Sequence, residues 1–200
     1  GIVVDYSAGG LGDLGNPPRA LIANNFIAMS SPSGTFGIQL YYSTNVDLYQ
    51  NSVNSTGGTN SSGLYLYGAA GNSVNLVNNI FSNPGGGTAV NIYTPTTVGT
   101  TDYNDLFTTG SYLAVWNSAN IVDLGALKAV SGKEAGSVSY NPFFVSATNL
   151  HARSPWIDAK GTPLAEVGDD IDGEPRDFST PDIGADEYTP DPALTTPLAG

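Results

Sequence analysis

The sequence has no cysteine, one histidine and one methionine among its 200 residues, and only 6 Lys plus Arg. The missing cysteine excludes a disulfide framework, a thiolate metal site and a Cys nucleophile, while leaving secretion open. A single histidine, His151, with no thiol beside it offers too few ligands for the usual transition-metal centre, and a surface or capping role is the simpler reading. Against the 6 basic residues stand 18 Asp plus Glu, for a net charge of -12. A surface that acidic repels phosphate backbones and anionic lipid, which argues against nucleic acid and membrane partners. No apolar run approaches the about 20 residues that span a bilayer, and the opening GIVVDYSAGG lacks the pattern of a signal peptide. What the chain has in quantity is 25 Gly, 13 Pro and 18 Asn. That composition suits a turn-rich all-β fold, and the length suits one domain.

Charge is unevenly placed. Between Ala20 and Thr101 the only charged residue is Asp47, whereas Asp158–Asp191 holds 11 of the 18 acids. The first stretch carries short apolar runs at a period near 26. One set reads Gly37-Ile38-Gln39-Leu40-Tyr41, Gly63-Leu64-Tyr65-Leu66-Tyr67 and Ala89-Val90-Asn91-Ile92-Tyr93. A second set places Asn25, Asn51, Asn79 and Asn104 at spacings of 26, 28 and 25. Gly, Ser, Thr and Pro clusters lie between them, as in Asn83-Pro84-Gly85-Gly86-Gly87.

Each run is too short for a helix and alternates with period two, which is a strand signal. Two or three strands per repeat with no helix between them make one coil of a parallel β-solenoid, each coil about 4.8 Å from the next. Ile38, Leu64 and Val90 then stack inward, with Leu40, Leu66 and Ile92 in the next column. The recurrent Asn fits a ladder of side-chain amides at one turn. An antiparallel sandwich is the competing architecture, but it does not require like residues at spacing 26. The sequence therefore predicts an all-β, right-handed parallel β-helix of five or six coils. Near Asp123–Val130, apolar spacing of three to four behind an Asp predicts one short helix. The expected division is coils over 1–145, a cap over the last coil at 146–189, and a linker or tail over 190–200.

These repeats resemble the right-handed parallel β-helix proteins, the architecture of pectate lyases and polygalacturonases. The C-terminal part resembles a narrower group. Asn141-Pro142-Phe143-Phe144-Val145, Leu150 and Ser154-Pro155-Trp156-Ile157-Asp158-Ala159-Lys160-Gly161 are similar to a run in bacterial surface β-helix proteins. Asp170-Ile171-Asp172-Gly173-Glu174-Pro175-Arg176 and Pro181-Asp182-Ile183-Gly184-Ala185-Asp186-Glu187-Tyr188 are similar to their ending, of the type called choice-of-anchor Q. The resemblance implies fold and an extracellular or cell-surface location more than activity. Asn141, Trp156 and Lys160 depart from the pattern.

Catalysis finds little support. A β-helix lyase needs a basic residue and calcium-binding carboxylates, and a hydrolase needs convergent acids. The coils from Ala20 to Thr101 offer Asp47 alone, followed by Asp102 and Asp105 in a turn-like Asp-Tyr-Asn-Asp, where Asp more often closes a turn. Ser154 has no nucleophile elbow around it. No catalytic residue is assigned. Asp170, Asp172 and Glu174 partly resemble a calcium loop, which Pro175 and Arg176 interrupt; they hold either a structural Ca²⁺ or an ion-pair network with Arg176. No other cofactor is expected. Tyr41, Tyr67 and Tyr93 fall one residue beyond inward positions, so they form an outward aromatic column with Tyr65, Gln39 and Asn91 alongside. Such a column either stabilises the sheet or binds sugar rings.

The reading is a non-catalytic surface module that binds a polysaccharide or a cell-envelope component. The alternatives are the C-terminal part of a polysaccharide lyase or glycoside hydrolase with its active site upstream, and a purely architectural stalk. Gly1-Ile2-Val3-Val4-Asp5-Tyr6 reads like Gly37–Tyr42, with a Gly-rich insertion at Ala8–Pro18. Nothing resembling an N-terminal cap precedes it. The chain is accordingly expected to continue an upstream part of the same polypeptide.

Overall fold

The computed structural model describes residues 1–5, 18–68 and 73–200; Tyr6 and residues 8–17 of the Gly-rich insertion lie outside the described residues. The 26-residue register is realised as coils of three short strands. The first coil is β1 (Ile2–Asp5), β2 (Ala20–Ala23) and β3 (Phe26–Met29). The second is β4 (Phe36–Tyr41), β5 (Val46–Tyr49) and β6 (Ser52–Ser55). The third is β7 (Ser62–Tyr67), β8 (Val74–Val77) and β9 (Ile80–Asn83). The fourth is β10 (Thr88–Ile92), β11 (Val98–Asp102) and β12 (Asp105–Thr108). Equivalent strands pair in parallel, giving sheets ordered β1-β4-β7-β10, β2-β5-β8-β11 and β3-β6-β9-β12. The fold is a parallel β-solenoid.

The sheet registers match the spacing read from the sequence. Ile2 aligns with Ile38, Ile38 with Leu64 and Leu64 with Val90; Leu40 aligns with Leu66 and Leu66 with Ile92. These side chains from the second to fourth coils are 0–2% exposed. Val46, Val74 and Val98 line the second sheet, and Val53, Phe81 and Leu106 the third. Each coil alone would leave its apolar face in water, so stacking is what makes the core.

The corner between the second and third sheets is sharp because one residue per coil is left-handed: Asn24, Gln50, Asn78 and Tyr103 have φ of 52–57°. The asparagine that follows secures the bend. Asn25 Nδ2 donates to Asn51 Oδ1 (2.8 Å), Asn51 Nδ2 to Asn79 Oδ1 (3.0 Å) and Asn79 Nδ2 to Asn104 Oδ1 (3.1 Å). The same oxygens accept the backbone N–H of the coil before. At the end of the ladder the Asn104 N–H donates to Ser137 Oγ, and Asn104 Nδ2 donates to Glu134. Ser137 thus stands where a fifth asparagine would.

The coil count is four, with the start of a fifth, rather than five or six. β13 (Ala114–Trp116) pairs in parallel with β10, but β14 (Ala119–Ile121) then folds back antiparallel on it. The cause is local: Asn117 and Ser118 both have positive φ, which sets a tight hairpin. Helix α1 (Leu124–Ser131) follows, as its sequence predicts. Asp123 caps it by accepting the Ala126 N–H at 2.7 Å, and Gly132 ends it at φ 66°. Buried Leu127, with Leu124 and Ala126, packs on the main core at this end.

The segment expected to cap the last coil runs elsewhere. Val138 pairs in parallel with Asp105 at the edge of the third sheet, and the chain from 141 to 188 then lies along the outer face of that sheet and the adjoining corner. The Ala185 N–H donates to Ser52 Oγ, the Gly184 N–H to the Asn78 carbonyl, and Asn54 Nδ2 to the Ala147 carbonyl. Arg176 reaches Asn24 in the first coil and the Tyr140 N–H reaches Asp105 in the fourth. A second apolar core fills the seam, built from Ile80, Ala152, Ile157 and Ile183 with Val138, Tyr140, Phe144 and Tyr188. The segment straps the coils side-on. The end of the solenoid is closed instead by the β13–β14 hairpin and α1.

Candidate functional site

Alternation along β4, β7 and β10 turns every second side chain of the first sheet to the outside. Tyr41 aligns with Tyr67, and the Tyr93 N–H donates to the Leu66 carbonyl, carrying the column one strand further. The Tyr41 and Tyr67 rings stack with centroids 5.3 Å apart and planes 11° apart; Tyr67 and Tyr93 meet at 6.1 Å and 63°. Tyr65 joins from the neighbouring column, 5.7 Å from Tyr93 and 4.4 Å from a stacked Phe36. Tyr42 stands edge-on to both Tyr41 and Tyr67. The six rings form one platform, with Tyr42 and Tyr93 the most exposed. Gln39 and Asn91 flank Tyr65 in register. Asn91 Oδ1 has no hydrogen-bond partner among the described residues. Burial, then the neighbouring phenols of Tyr93, Tyr67 and Tyr41, raise the Tyr65 pKa, so its hydroxyl stays neutral and able to donate. Asp5, in register with Tyr41, is the one carboxylate on the described strands of this sheet.

The acids weighed for catalysis are placed differently. Asp47 accepts from Arg19 Nε at 2.8 and 2.7 Å and from Asn75 Nδ2 at 2.7 Å, so it is held in an ion pair. Asp105 is fully buried beneath the strap, where it accepts the Tyr140 N–H; burial holds its pKa well above the usual carboxylate range. Asp102 accepts the N–H groups of Tyr103 and Gly136, closing a turn. Glu134 is buried with Thr101, Ser137 and Asn104 around it, and burial raises its pKa. The hydroxyl-bearing Ser154 is buried.

Asp170, Asp172 and Glu174 do not converge as a loop of ligands. Asp170 Oδ1 accepts the N–H groups of Asp172 and Glu174, and its Oδ2 accepts that of Glu187. Asp170 is therefore a turn-former with both oxygens engaged. Arg176 pairs with Glu187 at 3.6 Å and donates to the Asp186 carbonyl and Asn24, rather than joining Asp172 and Glu174. Asp172 is drawn to His151, whose Nδ1 lies 3.6 Å from Asp172 Oδ2 and 3.2 Å from Asp186 Oδ2. The sequence gives no warning of this grouping, because its members are 14 to 35 residues apart and belong to no periodic run.

At the corner of the second coil, a cavity of about 410 Å³ lies between the solenoid and the strap, lined by Gln50, Leu164, Val167, Arg176 and Phe178. Compared with known proteins, the chain matches no family model, no curated protein and no solved structure.

Proposed function

We propose that the chain is a non-catalytic module of a secreted or cell-surface β-helix protein, and that its first sheet binds the side of an extended polysaccharide. The observation that carries this reading is the aromatic platform of Tyr41, Tyr67 and Tyr93 with Tyr65, Tyr42 and Phe36. Aromatic faces take the apolar faces of sugar rings, while phenol and amide groups beside them hydrogen-bond the hydroxyls. The platform is an open face, which suits a polymer lying across several coils. The similarity of the tail motifs to bacterial surface β-helix proteins, of the pectate-lyase-like and choice-of-anchor kind, supports the same location. A right-handed coil belongs to this proposal, being the hand that parallel crossovers take in about 98% of cases. Hydrolysis needs two placed carboxylates, and this face holds Asp5 alone on its described strands.

Glycan-array binding and affinity electrophoresis, run beside reducing-sugar and ultraviolet lyase assays, test the reading. Binding without turnover is expected. Replacing Tyr41, Tyr67 and Tyr93 by Ala should weaken it about tenfold or more, since each aromatic contact contributes about 0.5–1.5 kcal/mol. Unchanged affinity in the triple variant, or no binding to any glycan, sinks the proposal. Turnover by the parent favours the lyase or hydrolase alternative.

A further inference from the structure

The strap brings three metal-ligating side chains to one point outside the aromatic face. His151 Nδ1, an Asp172 oxygen and an Asp186 oxygen all lie within 4.8 Å of one another. We propose that this group binds a single divalent transition-metal ion of the zinc type, which locks the strap over the first coil.

The spacing fits. Nitrogen and oxygen donors about 2.1 Å from a tetrahedral zinc stand about 3.4 Å apart, and the two imidazole–carboxylate separations here are 3.2 and 3.6 Å. The donor set fits as well: imidazole favours zinc and its neighbours over calcium and magnesium. Each side chain is positioned by its own segment. The His151 ring stands edge-on against Phe26 of β3, with centroids 4.9 Å apart at 88°. Asp172 sits on the turn that Asp170 closes. Asp186 is 6% exposed, in the strap's last stretch.

The two carboxylates are not spent on turns, unlike three other acids of the strap. Asp170 receives three backbone N–H groups, Asp182 receives those of Ala159 and Tyr188, and Asp177 those of Ser179 and Thr180. Asp172 and Asp186 receive none among the described residues. Their oxygens are turned instead toward His151, and the buried one lies close to the charges of Asp170 and Asp172. Arg176 contacts the Asp186 backbone carbonyl and Glu187, so it does not fill the gap between the two carboxylates. Three protein ligands with His151 and Asp172 partly exposed leave a fourth position to water. The ion would join Asp186, Asp172 and His151, three points of the strap, beside Phe26 of the solenoid.

The test is calorimetric titration of the chelator-stripped 200-residue chain with zinc chloride, with calcium chloride as the comparison. One zinc per chain is expected, bound more tightly than calcium, with a zinc-dependent rise in Tm. His151→Ala and Asp172→Ala should each weaken zinc by about tenfold or more, because even outer partners of a ligand are worth about 10–100-fold. The Asp172 side chain is exposed and accepts no backbone N–H among the described residues, so its variant keeps the fold; near-UV circular dichroism checks this. No zinc binding up to millimolar concentration overturns the proposal. So does zinc binding that both variants leave unchanged, or tighter binding of calcium.

Discussion

At the scale of single residues, the asparagine ladder carries more of the fold than its polarity suggests. Asn79 is fully buried, yet its amide satisfies five groups: it accepts the Asn51 N–H and Asn51 Nδ2, and donates to Leu48 O, Val77 O and Asn104 Oδ1. Removing it leaves several of these groups without water or a partner, at about 1–3 kcal/mol for each unsatisfied one. Asn79→Ala should therefore lower the unfolding free energy by about 3 kcal/mol. Asn25→Ala, at the half-buried start of the ladder, should cost about 1 kcal/mol, since among the described residues the Asn25 side chain only donates, to Ala23 O and Asn51 Oδ1. Urea denaturation of both variants decides it. Equal costs, or an Asn79 cost below about 0.5 kcal/mol, would mean the ladder only decorates a bend that the left-handed residues already fix.

At the scale of elements, docking of the strap depends on one glycine. Gly184 has φ 105°, and a Cβ there would stand 2.5 Å from Ile80 Cδ1 and 2.7 Å from Ser52 Oγ. Its N–H also donates to Asn78. Gly184→Ala should push the strap from the third sheet while leaving the coils paired. Limited proteolysis checks this: cleavage between residues 146 and 189 should become much faster, with the coils resistant. Resistance equal to the parent's refutes the idea. The contrast between coil and strap shows what the sequence makes legible. Coil strands, their register, the ladder and α1 are readable because stacking forces like residues to recur or because a cap has a local signature. The strap is held by Ala185 N–H on Ser52, by Asn78 on the Thr162 carbonyl and by a seam around Ile80. Those contacts are single, unrepeated and mostly to backbone, so no period announces them. Outward-facing Ile80 and Phe107, both buried, were the available hint that something covers that sheet. The metal-ligating trio is hidden for the same reason, because it exists only once the strap is docked. The tyrosine column, lying within the repeats, is where the spacing puts it.

At the scale of the whole molecule, the net charge of -12 and the buried acids act in the same direction. Burial raises the pKa of Asp182 to about 7, overcoming the N–H groups of Tyr188 and Ala159 that oppose it. Burial likewise raises Asp105, Glu134, Asp158 and Asp186. In the unfolded chain these groups titrate near about 4. Between about pH 4 and 7 the folded state therefore binds more protons than the unfolded state, and stability must fall as pH rises through that window. Asp177 works the other way, because the Thr180 and Ser179 N–H groups lower its pKa; its contribution is lost only as pH falls below the ordinary carboxylate range. Repulsion among the surface acids adds to the fall at high pH. The chain should accordingly be most stable near about pH 4, with Tm lower by on the order of 5 °C at pH 8, given about 2–4 °C per kcal/mol for a domain of this size. Asp105→Asn separates burial from net charge. It keeps a carbonyl oxygen for the Tyr140 N–H and removes a charge beside an oxygen, Oδ2, that has no partner among the described residues. Its Tm should match the parent at pH 4.5 and exceed it at pH 8 by about 2–4 °C. A parent Tm that climbs steadily from pH 5 to 8, or an Asp105→Asn variant destabilised equally at both pH values, would show that these carboxyls are ionised in the folded protein.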